Sequence, residues 1–335
     1  MDSLSQIVLG AAVGEAVLGK KIGGKAALFG AILGTVPDLD VLLKYFFDNP
    51  LDQDLSHRGF SHSILFALFM ASSVGYLLYR LYKKKIAYKP WFLFVFLCTV
   101  THPMLDIFTT WGTQFLWPYP ERFSFNSIFV IDPLYTLPFL FCLLVALFKK
   151  RTSASRRKWN LFGLSLSTAY LLIGVIIKLT ILSGVEAKFP KEKLLQSSVK
   201  PMPLTSFYWM SLSETEDDFI MAYHHLWKDF DATDIQRFEK NYDLLASLDE
   251  ASQEIVEKIK FVTKGYLSIE KEGNILLCKD LRFGSVAKLT NGKVKNTLMG
   301  YGLVIEENNI KKIISLRNGR DFEALDFKQY LNEIF

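Results

Sequence analysis

Four short stretches of this chain set ionisable side chains among apolar neighbours. Pro37-Asp38-Leu39-Asp40 carries two carboxylates, and His57-Arg58-Gly59-Phe60-Ser61-His62-Ser63 carries two imidazoles and a guanidinium. Thr101-His102-Pro103-Met104-Leu105-Asp106 adds an imidazole and a carboxylate, and Ile131-Asp132-Pro133 one carboxylate more. Imidazole nitrogen with carboxylate oxygen and no thiolate suits Zn²⁺, Mn²⁺ or Fe²⁺ in an open, catalytic coordination. His102 and Asp106 are four apart and share a helix face, with Pro103 between them as a source of bend. His57, His62 and His102 with Asp38, Asp40, Asp106 and Asp132 exceed what one tetrahedral ion needs, which leaves room for a second ion. Such a centre polarises a phosphoryl or carbonyl oxygen and supplies hydroxide at neutral pH. Arg58 matches the planar geometry of phosphate, and Asp38, Asp40 or Asp106 serves as base where it is not a ligand. Two residues carry a bland reading beside the functional one: Ser61 as the cap of the helix that follows, and Asp132, before Pro133, as another cap. Glu15 reaches the site only if its segment re-enters or tilts.

The elements that must position these groups are membrane elements. Half of the 335 residues are hydrophobic and 22% are charged, with 28 Phe, a composition that excludes disorder and an ordinary soluble globule. Residues 61–82, 91–116, 125–148 and 159–183 are apolar windows of the length a hydrocarbon core requires, about 20 residues. Residues 5–19 and 26–47 are Gly/Ala-rich, the first short for a crossing and the second interrupted at Pro37, so they read as spans, half-helices or re-entrant elements. With Met1-Asp2 at the start and Lys20 as the first base, a signal peptide is not expected. Lys and Arg cluster at residues 20–25, 80–89 and 149–158, and the positive-inside rule makes all three cytoplasmic, with six crossings and both termini outside. A charged group at the bilayer centre costs about 2.5 to 3.5 kcal/mol, so each needs a partner or a purpose. At about 1.5 Å of rise per residue, Asp38 and Asp40 lie roughly 18 to 21 Å from the cytoplasmic end, and His102 and Asp106 roughly 18 to 24 Å. Asp132, about 10 Å below the outer surface, is at the same level, with His57 and His62 just above. The layer suits a metal centre, with a proton or cation pathway as the second reading.

Beyond residue 184 the material changes. Residues 1–184 carry 18 Lys and Arg against 10 Asp and Glu, the remainder 21 against 24. Residues 207–213 and 219–226 alternate as strands, 233–260 reads as a helix, and Asn291-Gly292 and Arg317-Asn318-Gly319 read as turns. The expected architecture is an all-α polytopic membrane domain over 1–184, of about six helical segments, and a small extracytoplasmic α+β domain over 185–335. His224 and His225 alternate sides of a strand and so do not share a metal. Cys98, Cys142 and Cys278 form no disulfide or zinc framework and read as packing residues. No nucleic-acid reading motif accompanies the basic clusters, which fit topology and anionic lipid instead.

The opening MDSLSQIVLGAAVGEAVLGKK, with PDLD at 37–40, HRGFSHS at 57–63, THPMLD at 101–106 and IDPLYT at 131–136, resembles the YdjM-like family of bacterial inner-membrane proteins described as metal-dependent hydrolases. The match covers about the first 180 residues. The HRG-x-[ST]-HS core is also similar to that of zinc-dependent phospholipase C and related single-strand nucleases, which cleave phosphoesters. The resemblance implies His57, His62, His102, Asp106 and Asp38 or Asp40 as metal ligands, and Arg58 as a phosphate or structural partner. Many family members carry His where this chain has Gln6. The expected activity is hydrolysis of a membrane-associated ester or phosphoester at the outer leaflet, with Zn²⁺ as cofactor, Mn²⁺ or Fe²⁺ as alternatives, and membrane lipids as partners. The competing classes are an ion-coupled transporter and a non-catalytic scaffold with a structural metal.

Overall fold

Asp2 starts the first helix by accepting the Ser5 amide, and Gly23, with φ at +66°, ends it and turns the chain straight into the next. In the computed structural model, which describes residues 1–189, 191–228, 235–284 and 299–316, the helices are α1 (Ser3–Ile22), α2 (Gly24–Leu33), α3 (Pro50–Ser56), α4 (Ile64–Leu81), α5 (Tyr88–Asp106), α6 (Pro133–Leu147), α7 (Ala154–Ser183), α8 (Val185–Lys188) and α9 (Glu250–Thr263). The chain divides into two units, one of Met1–Leu43, Ser56–Lys178 and Pro203–Ser206, the other of Lys44–Leu55, Leu179–Met202 and Phe207–Phe335. Residues 203–206 thus group with the first unit, and residues 44–55 with the second.

Within the first unit α1 and α2 form a backbone-to-backbone hairpin. A Cβ on Gly10 would stand 2.3 Å from the Gly30 carbonyl oxygen, and one on Gly30 would stand 2.2 Å from that of Gly10. Small residues are what allow helices to approach this closely in a membrane setting. The first segment is therefore a full helix of 20 residues, about 30 Å long, and not a short half-helix. The second is the broken one. Gly34 closes α2, Pro37 cannot continue an α-helical ladder, and Val36–Phe46 winds as a 3₁₀ segment of 11 residues, far longer than usual for that helix type.

Among the described residues three helical stretches are long and apolar enough to cross a membrane, Gly24–Phe46, Ile64–Leu81 and Ala154–Ser183, and α6 is a shorter apolar helix. The apolar windows at 91–116 and 125–148 shrink in the structure. α5 stops at Asp106, and α6 starts only after Asp132, whose Oδ1 accepts the Leu134 amide at 3.0 Å with Pro133 in the first turn. Ser63, not Ser61, caps α4, its Oγ accepting the Phe66 amide at 3.1 Å.

The described residues of the second unit form eight strands: β1 (Gln196–Pro201), β2 (Tyr208–Glu214), β3 (Asp218–His225), β4 (Gln236–Glu239), β5 (Leu267–Glu272), β6 (Ile275–Asp280), β7 (Gly300–Glu306) and β8 (Asn309–Ser315). They form two four-stranded antiparallel sheets in sequential order, β1 to β4 and β5 to β8. The helix expected over 233–260 is confined to α9: Gln236–Glu239 pairs with β3 instead, and Asp249 starts α9 by accepting the Ser252 amide at 2.8 Å. Asn291-Gly292 and Arg317-Asn318-Gly319 lie outside the described residues. β2 is buried nearly throughout and not on alternate residues only, with Tyr208, Met210 and Leu212 in a core shared with Phe219, Met221 and Tyr266. Behind it, Lys188 donates to His224 Nδ1 (2.9 Å), so His224 Nε2–H points to Ser211 Oγ (2.7 Å). That polarity is opposite to what a serine nucleophile needs, and burial, reinforced by Lys188, pushes the His224 imidazole down to about 3. His225 stacks on Tyr208 with ring centroids 4.4 Å apart.

Candidate metal centre

The broken helix brings Asp38 and Asp40 to the end of α5. Because α2 stops at Leu33, the Gly34 carbonyl has no helical donor, and His102 Nδ1 takes it at 2.6 Å. This fixes the tautomer: Nδ1 carries the proton and Nε2 is left with its lone pair. His62 is oriented in the same way from the other side, with Nδ1 at 3.2 Å from Asp40 Oδ2 and 2.9 Å from Ser61 Oγ.

The two free Nε2 atoms then face each other at 3.2 Å. Asp38 Oδ1 stands 3.4 Å from His62 Nε2 and 3.3 Å from His102 Nε2. Asp106 Oδ2 stands 3.5 and 3.7 Å from the same two atoms. Asp38, His62, His102 and Asp106 thus offer one ligand atom each, all within 4.8 Å of one another. Ligands at about 2.0 to 2.1 Å from a tetrahedral ion are about 3.3 to 3.4 Å apart; the three separations among Asp38, His62 and His102 are close to that length, and those from Asp106, 3.5 and 3.7 Å, are somewhat longer. Asp106 Oδ2 is also buried and, apart from its ion pair with Arg58, accepts no hydrogen bond among the described residues, so it keeps a lone pair for a cation. The donor set fits a divalent metal.

The carboxylate of Asp106 is gathered from three directions. Arg58 Nε lies 3.1 Å from Oδ2, and Oδ1 receives Gln6 Nε2 at 3.0 Å and the amino group of Met1. Arg58 holds φ at +58° and also donates to Thr109 Oγ1 at 3.2 Å. Asp40 does not face the four-atom cluster. Its Oδ1 takes His57 Nδ1 (2.8 Å), and its Oδ2 takes the Arg58 amide (2.9 Å) and Ser61 Oγ (2.7 Å) in addition to His62. His57 therefore stands outside the cluster, with Nδ1 turned to Asp40 and a third of its side chain exposed (33%).

Two expected site residues lie elsewhere. Glu15 makes a two-pronged ion pair with Arg156, at 2.6 and 2.7 Å, because α1 is a continuous helix that carries it away from Asp38. Asp132 caps α6 and takes Tyr170 Oη (2.8 Å) and Ser206 Oγ (3.1 Å) on its other oxygen. Sequence reasoning gave no role to Gln6, whose side chain also donates to the His102 carbonyl at 3.3 Å. Its one signal was the family's His at that position.

The model of the YdjM inner membrane protein family matches residues 1–181. The chain is 31% identical over 141 residues to the uncharacterized protein YfhP of Bacillus subtilis, covering 40% of this chain and 42% of that one. It is 36% identical over 110 residues to the inner membrane protein YbcI of Escherichia coli, covering 32% of this chain and 62% of that one. The matches therefore span less than two thirds of either relative. No solved structure matches the chain. With a family match over more than half its length and a helical unit bearing membrane-length apolar helices, the chain belongs to the YdjM inner membrane protein family.

Proposed function

We propose that this protein is a membrane-embedded, metal-dependent hydrolase acting on an ester or phosphoester carried by a membrane lipid, at the outer leaflet. The observation that carries the reading is the cluster of Asp38 Oδ1, His62 Nε2, His102 Nε2 and Asp106 Oδ2 at tetrahedral spacing. Two nitrogens and two oxygens without sulfur suit Zn²⁺, with Mn²⁺ or Fe²⁺ as alternatives, and one four-atom group accounts for one ion. When bound, such a cation supplies Lewis acidity at a phosphoryl or carbonyl oxygen and lowers the pKa of water.

The remaining roles follow from the contacts. His57, with Nδ1 donating to Asp40, presents Nε2 as the group that takes a proton from the attacking water and returns it to the leaving oxygen. Arg58 holds Asp106 in place and offers its remaining amino group to an anionic head group. Of the four ligand side chains only that of Asp38 is appreciably exposed, at 30% against 0% for the others, so substrate approaches on that side. The same 3₁₀ segment exposes Leu39 and Leu42, at 58% and 54%, which favours a substrate with an acyl chain over a soluble one. The three basic clusters support six crossings with the C-terminal unit outside.

Purified protein in lipid bilayers, with lipid products followed by mass spectrometry, tests the reading. Product should form with wild type, stop on chelation and fall at least a hundredfold in His57→Gln, a typical general acid–base contribution being about 10²- to 10⁴-fold. Turnover that survives chelation would overturn it.

A further inference from the structure

The end of the helical unit remote from the metal centre carries positive charge that its own acids do not balance. Gln6, beside Asp106, is in the first turn of α1, and Lys20 and Lys21 are in the last, roughly 20 Å away at about 1.5 Å per residue. The turn after α1 packs on the turn between α6 and α7: Arg151 Nη1 donates to the Lys21 carbonyl at 3.5 Å, and a Cβ on Gly23 would stand 3.3 Å from Arg151 Cδ. Two basic clusters far apart in sequence thus meet. No Asp or Glu occurs in residues 16–37 or 133–185, and Glu15 is taken by Arg156. The other bases of residues 20–25 and 149–158 are exposed, and among the described residues none of them makes an ion pair. Beside them the first turns of α7 line a groove of about 500 Å³, with Ala154, Ser155, Lys158, Trp159 and Phe162 in its wall. The wall is ordered along the axis, a hydroxyl and an ammonium first and two aromatic rings after, Phe162 lying about 10 Å beyond Ser155. Trp159 stands edge-on to Phe162 and to Phe141 of α6, 6.2 Å from each ring centre.

We infer that this groove is a binding site for an anionic phospholipid, with Lys158 on the phosphate and Trp159 and Phe162 against the upper part of the acyl chains. The order of groups along α7 is the order of head group and chain in a lipid, and a soluble anion would leave the aromatic wall unused. α7 is long and apolar enough to cross a membrane, and Phe141 and Phe162 on this flank are 59% and 55% exposed, so the groove opens where lipid stands. Basic pockets beside membrane helices select anionic head groups, and unbalanced positive charge draws them in. A basic turn that served only to orient the protein would need no groove. The site is separate from the metal centre, and the inference holds whether or not a cation is bound there.

The test titrates the full-length protein in detergent with dioleoylphosphatidylglycerol or dioleoylphosphatidylcholine and reads bound lipid by native mass spectrometry. Phosphatidylglycerol should bind at least about fivefold tighter, the factor to which about 1 kcal/mol for one base near an anionic head group amounts. Lys158→Gln should abolish that preference, and Lys158→Arg should keep it. Trp159→Ala should weaken both lipids by a similar factor and leave their ratio alone. Replacing Lys83, Lys84 and Lys85 by Gln removes exposed charge from the turn between α4 and α5, which contributes nothing to the groove, and should leave the preference unchanged. Were Trp159→Ala not to fold, the Lys158→Gln and Lys158→Arg pair, at an exposed position, carries the comparison. Equal affinity of wild type for the two lipids overturns the inference. So does a preference that survives Lys158→Gln or is lost equally in the triple variant, and so does displacement of phosphatidylglycerol by inorganic phosphate.

Discussion

Replacing Asp40 by Asn removes one charge and keeps the shape of the side chain, which isolates what that carboxylate does. Its Oδ2 receives the Arg58 amide at 2.9 Å, Ser61 Oγ at 2.7 Å and His62 Nδ1 at 3.2 Å, and its Oδ1 holds His57 Nδ1 at 2.8 Å. A hydrogen bond to a charged group contributes about 1.5 to 3 kcal/mol, roughly twice a neutral one. An amide that turns its carbonyl toward the three donors keeps those bonds but weakens each by about 1 kcal/mol. The Arg58 and Ser61 shares, together about 2 kcal/mol, act on the loop with or without a cation. Only the His62 share, about 1 to 1.5 kcal/mol, acts on the basicity of a ligand, which predicts about tenfold weaker cation binding. That is the lower end of the 10- to 100-fold range for outer-shell partners. Chelator-competition titration of wild type and Asp40→Asn in detergent measures it. An unchanged dissociation constant would refute the orienting role, and complete loss of binding would show that Asp40 is itself a ligand.

Three further outcomes follow from the packing. Glu15→Gln leaves the Arg156 guanidinium buried without its counter-charge and should lower stability by about 3 to 5 kcal/mol in a denaturation assay, while a paired replacement by Leu and Met should cost much less. Gly30→Ala forces a methyl group against the Gly10 carbonyl and should cost about 1 to 3 kcal/mol or more. Because Gly34 on the same hairpin holds His102, Co²⁺ affinity in that variant should fall together with the melting temperature. Lys200 is 6% exposed in β1, and burial pushes its ammonium down to about 7, against about 10.4 in the unfolded chain. Between those values the unfolded chain holds a proton the folded one has shed, so stability should rise with pH by up to about 1.4 kcal/mol per unit. Hydrogen exchange of the β1 amides, corrected for intrinsic rates, should show that slope in wild type and lose it in Lys200→Met.

How much of this was legible in the sequence depended on whether a residue's role is set by its neighbours along the chain or by contacts across it. The spacing of His102 and Asp106 put both on one helix end, and PDLD and HRGFSHS marked the other ligands, because ionisable groups among apolar residues are costly and therefore conspicuous. Their division of labour was not legible. Asp38 and Asp40 are chemically identical and two residues apart, and only the 3₁₀ winding turns one to the cluster and the other to His57. Glu15 and Asp132 stood out by the same criterion of cost, but Glu15 is paired across the chain with Arg156, which spacing could not show, and Asp132 caps the start of α6 beside it. Depth counting assumed straight α-helices, and so could not tell that α5 would end at Asp106 or that α2 would stop at Leu33. In the second unit, strand β4 was missed because Gln236–Glu239 is polar and takes its conformation from pairing with β3.

The account's central claim is that one divalent cation is held by Asp38, His62, His102 and Asp106. Elemental analysis of the purified protein, loaded with Zn²⁺ and dialysed, should find close to one ion per chain in wild type and almost none in His62→Ala or His102→Ala, with Glu15→Gln and Asp132→Asn retaining it. Equal metal content in wild type and the two histidine variants would contradict it.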